Sequence, residues 1–508
     1  MGVIIRQSIK GTIVNYVGVA IGFVTTFFVL TRFLTAEEIG LTRVLIDSAT
    51  LLAALSQLGT CSSTMRYYPY FRDKASGDHG LFFWTLIVPL VGFALFALLY
   101  IALRAPIEAA FAEKSPLFID YYYAVLPLAF FMLYMSIFES NANVLMRIVV
   151  PKLSREVIVR LLALADYLLY AFGVLSLKGF VACFCGIYGV ATLVNAIYLF
   201  SLKHISLKPD LKHISKSLRN DYLRYTLFLM ATAFASAITP TVSTFFISAQ
   251  QGLAFTGVFA IATYIAAVIE IPYRSLGAIA QPQLSQTIKE TDIAAANELC
   301  QKVSLHQLLA GSFLFFVIWT NIDLFFRLLP NGEQYAAAKL VVLVLGLSKL
   351  LNSTLSVGIS VLSYSRYYYF SLIFAFFQTA LIIALNNALV PIWGINGAAV
   401  ATLLACLLYY MALLGLVRNK VKTSPFSRMQ LKVVVIFAVL FALNALCRFG
   451  AEQMALDSRN LWLQCAEAVV RTCLLVGIGV WAVYRWNVSA EVKNLIRLCA
   501  VRCNVAKK

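Results

Sequence analysis

From about Gly11 to Tyr484 the chain alternates long apolar stretches with short polar connections. A helix needs about 20 mostly apolar residues to cross the hydrocarbon layer of a bilayer. On that basis the pattern predicts an all-α integral membrane protein with about fourteen spans, at residues 11–33, 41–64, 80–103, 117–145, 157–177, 179–201, 222–248, 253–280, 303–329, 335–362, 367–390, 394–417, 431–449 and 461–484. The first run, from near Gly11, is about as long as a true span and too long for the apolar region of a cleavable signal.

Composition agrees. Of 508 residues, 61% are hydrophobic and 13% charged. A soluble domain carries roughly a quarter charged residues, so this apolar excess must face lipid. The net charge of +18 sits in the connections and reads as topology, not as nucleic-acid binding. Starting with the N-terminus inside, the inner connections hold about four times as many Lys and Arg as the outer ones. Both termini are therefore expected in the cytoplasm, in an inner (cytoplasmic) membrane. The ten Cys form no pair in an outer loop, so no disulfide is expected.

Two echoes suggest an internal duplication. Thr25-Thr26-Phe27-Phe28 with Gly40 is matched by Ser243-Thr244-Phe245-Phe246 with Gly257, and Gly186-Ile187 through Thr192 by Gly394-Ile395 through Ala399. Each pairs a span with the one six later. Because six is even, the halves share orientation, as in a parallel repeat. The expected division is an N-lobe at 1–202, a basic linker at 203–221, a C-lobe at 222–418, two extra spans within 419–484 and a basic tail at 485–508.

Three stretches resemble a known family. They are Thr31-Arg32-Phe33-Leu34-Thr35-Ala36-Glu37-Glu38-Ile39-Gly40, then Leu58-Gly59 with Arg66-Tyr67-Tyr68, and Pro391-Ile392-Trp393-Gly394-Ile395-Asn396-Gly397-Ala398-Ala399-Val400-Ala401-Thr402. They are similar to the polysaccharide and O-antigen flippases of the multidrug/oligosaccharidyl-lipid/polysaccharide exporter superfamily. That resemblance implies a V-shaped pair of helical lobes and an undecaprenyl-diphosphate-linked oligosaccharide as cargo. Membrane lipids, and a polysaccharide polymerase machinery that uses the product, are the implied partners.

Moving a diphosphate and sugars through hydrocarbon requires a wet path bearing cations and polar groups. It requires no nucleophile, metal or cofactor. The ionisable residues inside spans are the candidates: Arg43 and Asp47 on span two, Arg160 and Asp166 on span five, Glu270 and Arg274 on span eight, and Lys349 on span ten. Arg43–Asp47 and Glu270–Arg274 are spaced i, i+4, as are Asp323–Arg327 and Glu467–Arg471. Pro272 is expected to loosen span eight. Lys349 has no carboxylate nearby in sequence and is expected to face water or a phosphate. A lipid II flippase, a cation-coupled multidrug exporter and a membrane glycosyltransferase or polymerase are the competing readings. Residues 11–31 lack the acidic residue that such exporters typically place on span one, and no long outer loop offers room for an enzyme domain.

Overall fold

The computed structural model describes residues 2–73, 78–202, 216–290, 292–453 and 461–494; within these, the side chains at 2–12, 216–221, 223–224, 274–275, 278–279, 282 and 450–453 are left aside. The described residues are helical and contain no strand. Most of the linker 203–221 and most of the tail 485–508 lie outside them.

By length and hydropathy, eleven of the described helices can cross a membrane, or twelve if the pair Tyr225–Ile238 and Val242–Gln250, bent by 45°, is one span. Two further features bear on the fourteen expected. The helix Phe370–Lys420 is 51 residues long but contains Gly394 at φ 55° and ψ −132°. A Cβ on Gly397 would lie 2.1 Å from the carbonyl oxygen of Leu389. Eight residues of straight helix would hold those atoms about 12 Å apart, so the chain folds back here into a helical hairpin. Expected span five corresponds to Val149–Leu153, Ser154–Ile158 and Val159–Ala171 run end to end, the middle turn π-helical. Its charges Arg155, Glu156, Arg160 and Asp166 keep it from qualifying on hydropathy.

The Gly394 conformation is open essentially to glycine alone. Gly394→Ala is expected to destabilise the protein by about 1–3 kcal/mol, read as a lower melting temperature of the purified protein. Gly397→Ala should do the same through collision with Leu389. Wild-type melting of both variants would contradict the hairpin.

Contacts divide the chain into two compact units. The first comprises Met1–Ile261, Leu329–Asn331 and Ala375–Ala398. Here Val125–Val144 packs on Ala36–Ser56 and on Leu177–Ser201, with Ala53, Leu133 and Ile137 in the seam. Thr35 begins Ala36–Ser56 with a capping box: its hydroxyl accepts from the Glu38 N–H, and the Glu38 carboxylate accepts from the Thr35 N–H. Glu38 also accepts from the Tyr170 hydroxyl. Glu38, part of the stretch that resembles a known family, thus serves as a helix cap.

Four contacts in this unit obey a local two-fold relation. A Cβ on Gly40 would fall 1.9 Å from the Leu253 carbonyl oxygen, and one on Gly257 would fall 2.0 Å from the Ala36 carbonyl oxygen. Leu253 precedes Gly257 by the same four residues by which Ala36 precedes Gly40. Farther along, the Ser115 hydroxyl donates to the Ser248 carbonyl at 2.6 Å, and the Asn331 side chain donates to the Thr31 carbonyl at 2.9 Å. Thr31 and Ser248 are separated by the same interval as Gly40 and Gly257, while Ser115 and Asn331 differ from it by one residue. The glycines matched by the sequence echo therefore touch each other.

The second unit comprises Ala262–Leu328, Gly332–Phe374 and Ala399–Lys508. Ile293–Thr320 is its central helix, packed on Ile271–Lys289, Lys339–Leu355 and Arg428–Gln453. Gly311 and Gly346 allow close approach, since a Cβ on either would lie 2.8 Å from the side chain of Leu350 or Phe315 respectively. The last helix, Leu461–Arg485, packs along Arg428–Gln453. Leu440 and Leu475 share a core cluster there.

Candidate transport site

Span eight is interrupted where its candidate acid lies. Leu253–Ala267 ends in a tighter turn, Val268–Glu270, and Ile271–Lys289 begins with Pro272 in its first turn. Proline has no N–H to donate and fits a helix start, so the expected loosening takes the form of a local change of winding. Glu270 is buried there. Its carboxylate accepts from Lys349 Nζ at 3.2 Å and from Asn352 Nδ2 at 2.9 Å. Lys349 and Asn352 stand i, i+3 and so share one face of span ten. The Tyr410 hydroxyl, from span twelve, donates to Asn352 Oδ1 at 2.7 Å. Four side chains from three spans thus form one connected network inside the second unit.

This changes one expectation and adds a partner to another residue. Glu270 pairs with Lys349; the side chain of Arg274, its i, i+4 neighbour, lies outside the described residues. Lys349 has a carboxylate partner, although its side chain remains 31% exposed. Breaking a buried ion pair by removing one member costs about 3–5 kcal/mol, so the two residues hold each other in place.

Beside this network a groove of about 940 Å³ runs over the second unit. Leu308, Leu347, Leu351, Leu407 and Met411 supply apolar wall, and Tyr410 belongs to both groove and network. Arg418, Ser424, Ser427 and Gln430 supply its polar part.

The first unit holds the remaining candidates. Arg43 and Asp47 form the expected pair at 2.9 Å, and Asp47 also bonds the Thr244 side chain. Arg160 pairs with Glu156 at 2.6 Å and donates to the Gly18 carbonyl. Gly18 and Gly22 make room, since a Cβ on either would lie 2.5 Å from Glu156 or Arg160 atoms. Arg160 turns away from Asp166, which is 3% exposed and has no hydrogen-bond partner at either carboxylate oxygen among the described residues. Sequence reasoning missed Glu156, assigned to a connection, although its i, i+4 spacing from Arg160 was visible. It also missed Asn352 as a partner of Glu270 and Tyr410 as a partner of Asn352, for which no local spacing exists. Glu467 and Arg471 pair as expected, at 3.1 Å.

Asp323 departs from its expected pairing. It accepts from Arg448 at 3.0 Å and pairs with Lys339, while Arg327 bonds Gln464. It lies beyond the helix Ile293–Thr320. Burial pushes its carboxyl up, but hydrogen bonds and charge from Lys339 and Arg448 outweigh this and hold it below the ordinary carboxylate value. A lowered folded-state pKa contributes stability that is complete above the unfolded value and lost as pH falls through the folded one. The gap in melting temperature between wild type and Asp323→Asn is therefore expected to be widest near neutrality and to close in acid. A gap independent of pH would contradict it.

No group of three His, Cys, Asp or Glu among the described residues is placed to hold a metal ion. No protein-family profile and no curated protein sequence matches the chain. Solved structures do. The lipid II flippase MurJ, in an inward closed conformation, superimposes with a TM-score of 0.71 at 13% identity, over 96% of this chain and 100% of its own. An inward-facing multidrug resistance MATE family transporter of the MOP superfamily gives 0.63 at 16% identity, over 83% and 98%. The fold is that of the MOP transporters. A MOP superfamily transporter from Pyrococcus furiosus, with a binding pocket described as reversed in polarity, gives 0.57 at 16% identity, over 83% and 96%. MurJ thus covers more of the present MOP fold than the other two do, by about the size of the segment 419–484.

Proposed function

We propose that the chain is a flippase that moves a polyprenyl-diphosphate-linked oligosaccharide, such as an O-antigen or capsule repeat unit, from the inner to the outer leaflet by alternating access. The observation that carries this reading is the Glu270–Lys349–Asn352–Tyr410 network beside an apolar groove with a cationic, hydroxyl-bearing part. An amphipathic cargo calls for both kinds of surface, whereas a small drug needs no groove for a long tail. The coverage of this chain by a lipid II flippase, and the lack of an acid in residues 11–31, also support a flippase over a drug exporter. In this reading the chain binds and moves its substrate without covalent chemistry.

Residues 1–202 and 222–418 would be the two moving lobes, 203–221 their linker, 419–484 an added pair of spans and 485–508 a tail. Arg43, Asp47, Arg160, Asp166, Glu270, Arg274 and Lys349 would border the path. The protein would lie in the inner membrane with both termini cytoplasmic, delivering its product to a polymerase.

The test is a deletion strain scored for surface polysaccharide, with its lipid-linked intermediates extracted. Complete units accumulating on the inner leaflet support the proposal; loss of the units themselves points to an enzyme of their synthesis. A second reading, lipid II as cargo, is favoured by the likeness to MurJ. Rescue of cells depleted of their own lipid II flippase would select it.

A further inference from the structure

Three connections of the second unit, far apart in sequence, converge on one pocket of about 390 Å³. One is the junction between Ile271–Lys289 and Ile293–Thr320, which contributes Ile288, Ile293 and Ala296. The second is the turn after Val357–Tyr364, which contributes Ser365, Arg366 and Tyr367. The third is the chain leaving Phe370–Lys420, which contributes Lys420, Val421 and Thr423. The positive-charge bias assigns all three to the same side of the membrane.

The wall holds two cations and no carboxylate. Arg366 lies 4.9 Å from the centre of the Tyr367 ring and donates to the Tyr367 hydroxyl at 2.8 Å. The ring steadies the guanidinium and leaves further N–H groups to donate. Neither Arg366 nor Lys420 forms an ion pair among the described residues. Of the two acids in the first connection, Glu290 accepts from Gln286 Nε2 at 2.9 Å and Asp292 caps its helix by accepting from the Ala295 N–H at 2.9 Å; neither lines the pocket.

A second observation is independent of charge. Thr423 is 2% exposed, and its hydroxyl has no hydrogen-bond partner among the described residues. A buried hydroxyl left unpaired costs about 1–3 kcal/mol. Native proteins rarely retain one without a ligand, water or ion to satisfy it. Here it sits in the wall of a concave, carboxylate-free site.

We propose that this pocket binds a phosphate group, held by Arg366 and Lys420 and completed by the Tyr367 and Thr423 hydroxyls. A guanidinium fork and a point-charge ammonium are the two side chains suited to phosphate oxygens. At the ends of spans, a phosphate can come from an anionic phospholipid headgroup or from a soluble phosphate compound. The chemistry is shared, and the assay separates the sources. Binding here is independent of what the protein transports.

The experiment uses the purified full chain in detergent. Native mass spectrometry follows the addition of phosphatidylglycerol or phosphatidylcholine, and calorimetry follows inorganic phosphate, with acetate as a control anion. Wild type is expected to hold one phosphatidylglycerol or one phosphate in preference to phosphatidylcholine and acetate. The double variant Arg366→Gln/Lys420→Gln should weaken that binding about tenfold or more. Thr423→Val, which leaves the charge unchanged, should weaken it about threefold or more. Lys289→Gln and Arg428→Gln, basic residues at the ends of the same connections that do not line the pocket, should leave it unchanged. Saturation by phosphate alone identifies a soluble ligand; binding of phosphatidylglycerol without phosphate identifies the headgroup. The proposal is overturned if neither probe binds, if the control variants weaken binding as much as Arg366→Gln/Lys420→Gln, or if Thr423→Val binds like wild type.

Discussion

Lys349→Ala is expected to abolish surface glycan while the protein remains in the membrane. The substitution leaves Glu270 buried with only the Asn352 amide for company. An uncompensated carboxylate at that position costs about 3–5 kcal/mol, so the purified variant should also melt earlier. Stability and transport are separable by neutralising both members. Lys349→Met/Glu270→Gln removes the stranded charge and should recover most of the melting temperature, because a buried pair replaced by well-packed neutral groups is often harmless. Export should not recover, since the network has lost its one cation. A double variant that exports normally would reduce the network to packing and remove the basis for placing the cargo there.

Gly40→Val is expected to be nearly as damaging, for a steric reason. The added side chain would start 1.9 Å from a backbone oxygen, and Gly257 offers backbone too, so no rotamer relieves the clash. Overpacking of this kind costs about 1–3 kcal/mol and sometimes more. The helices Ala36–Ser56 and Leu253–Ala267 could no longer touch, and the conformation in which they do would be depopulated. Every 1.36 kcal/mol of that cost is about a tenfold shift in the equilibrium. Gly257→Val should match it. Gly40→Val/Gly257→Val should be little worse than either alone, because the first substitution has already parted the helices. Melting temperature and surface glycan report the outcome. Additive losses, or Gly40→Val at wild-type levels, would contradict the reciprocal contact.

Much of the architecture was legible because membrane spans are set by length and apolarity, which one sequence displays directly. Gly40 and Gly257 could be matched by their surroundings before any coordinates. Hydropathy does not say which face of a helix meets which neighbour. Spacing reports only partners on the same helix, whereas the bonds of Glu270 to Lys349 and Asn352 reach a different span. Asp323 shows the same limit, taking Lys339 and Arg448 in place of Arg327. Glu156 was overlooked for the opposite reason: it is local to Arg160, but a charge-dense helix start looks like a loop.

Gly40 against Leu253, Gly257 against Ala36, Ser115 on Ser248 and Asn331 on Thr31 make up a self-complementary patch of the kind found where two identical subunits meet. Here both copies belong to one polypeptide. Covalent fusion frees each copy to diverge, so Ser115 and Asn331 do equivalent work with different side chains. A hydroxyl and an amide thus hold corresponding places in one pseudo-symmetric seam.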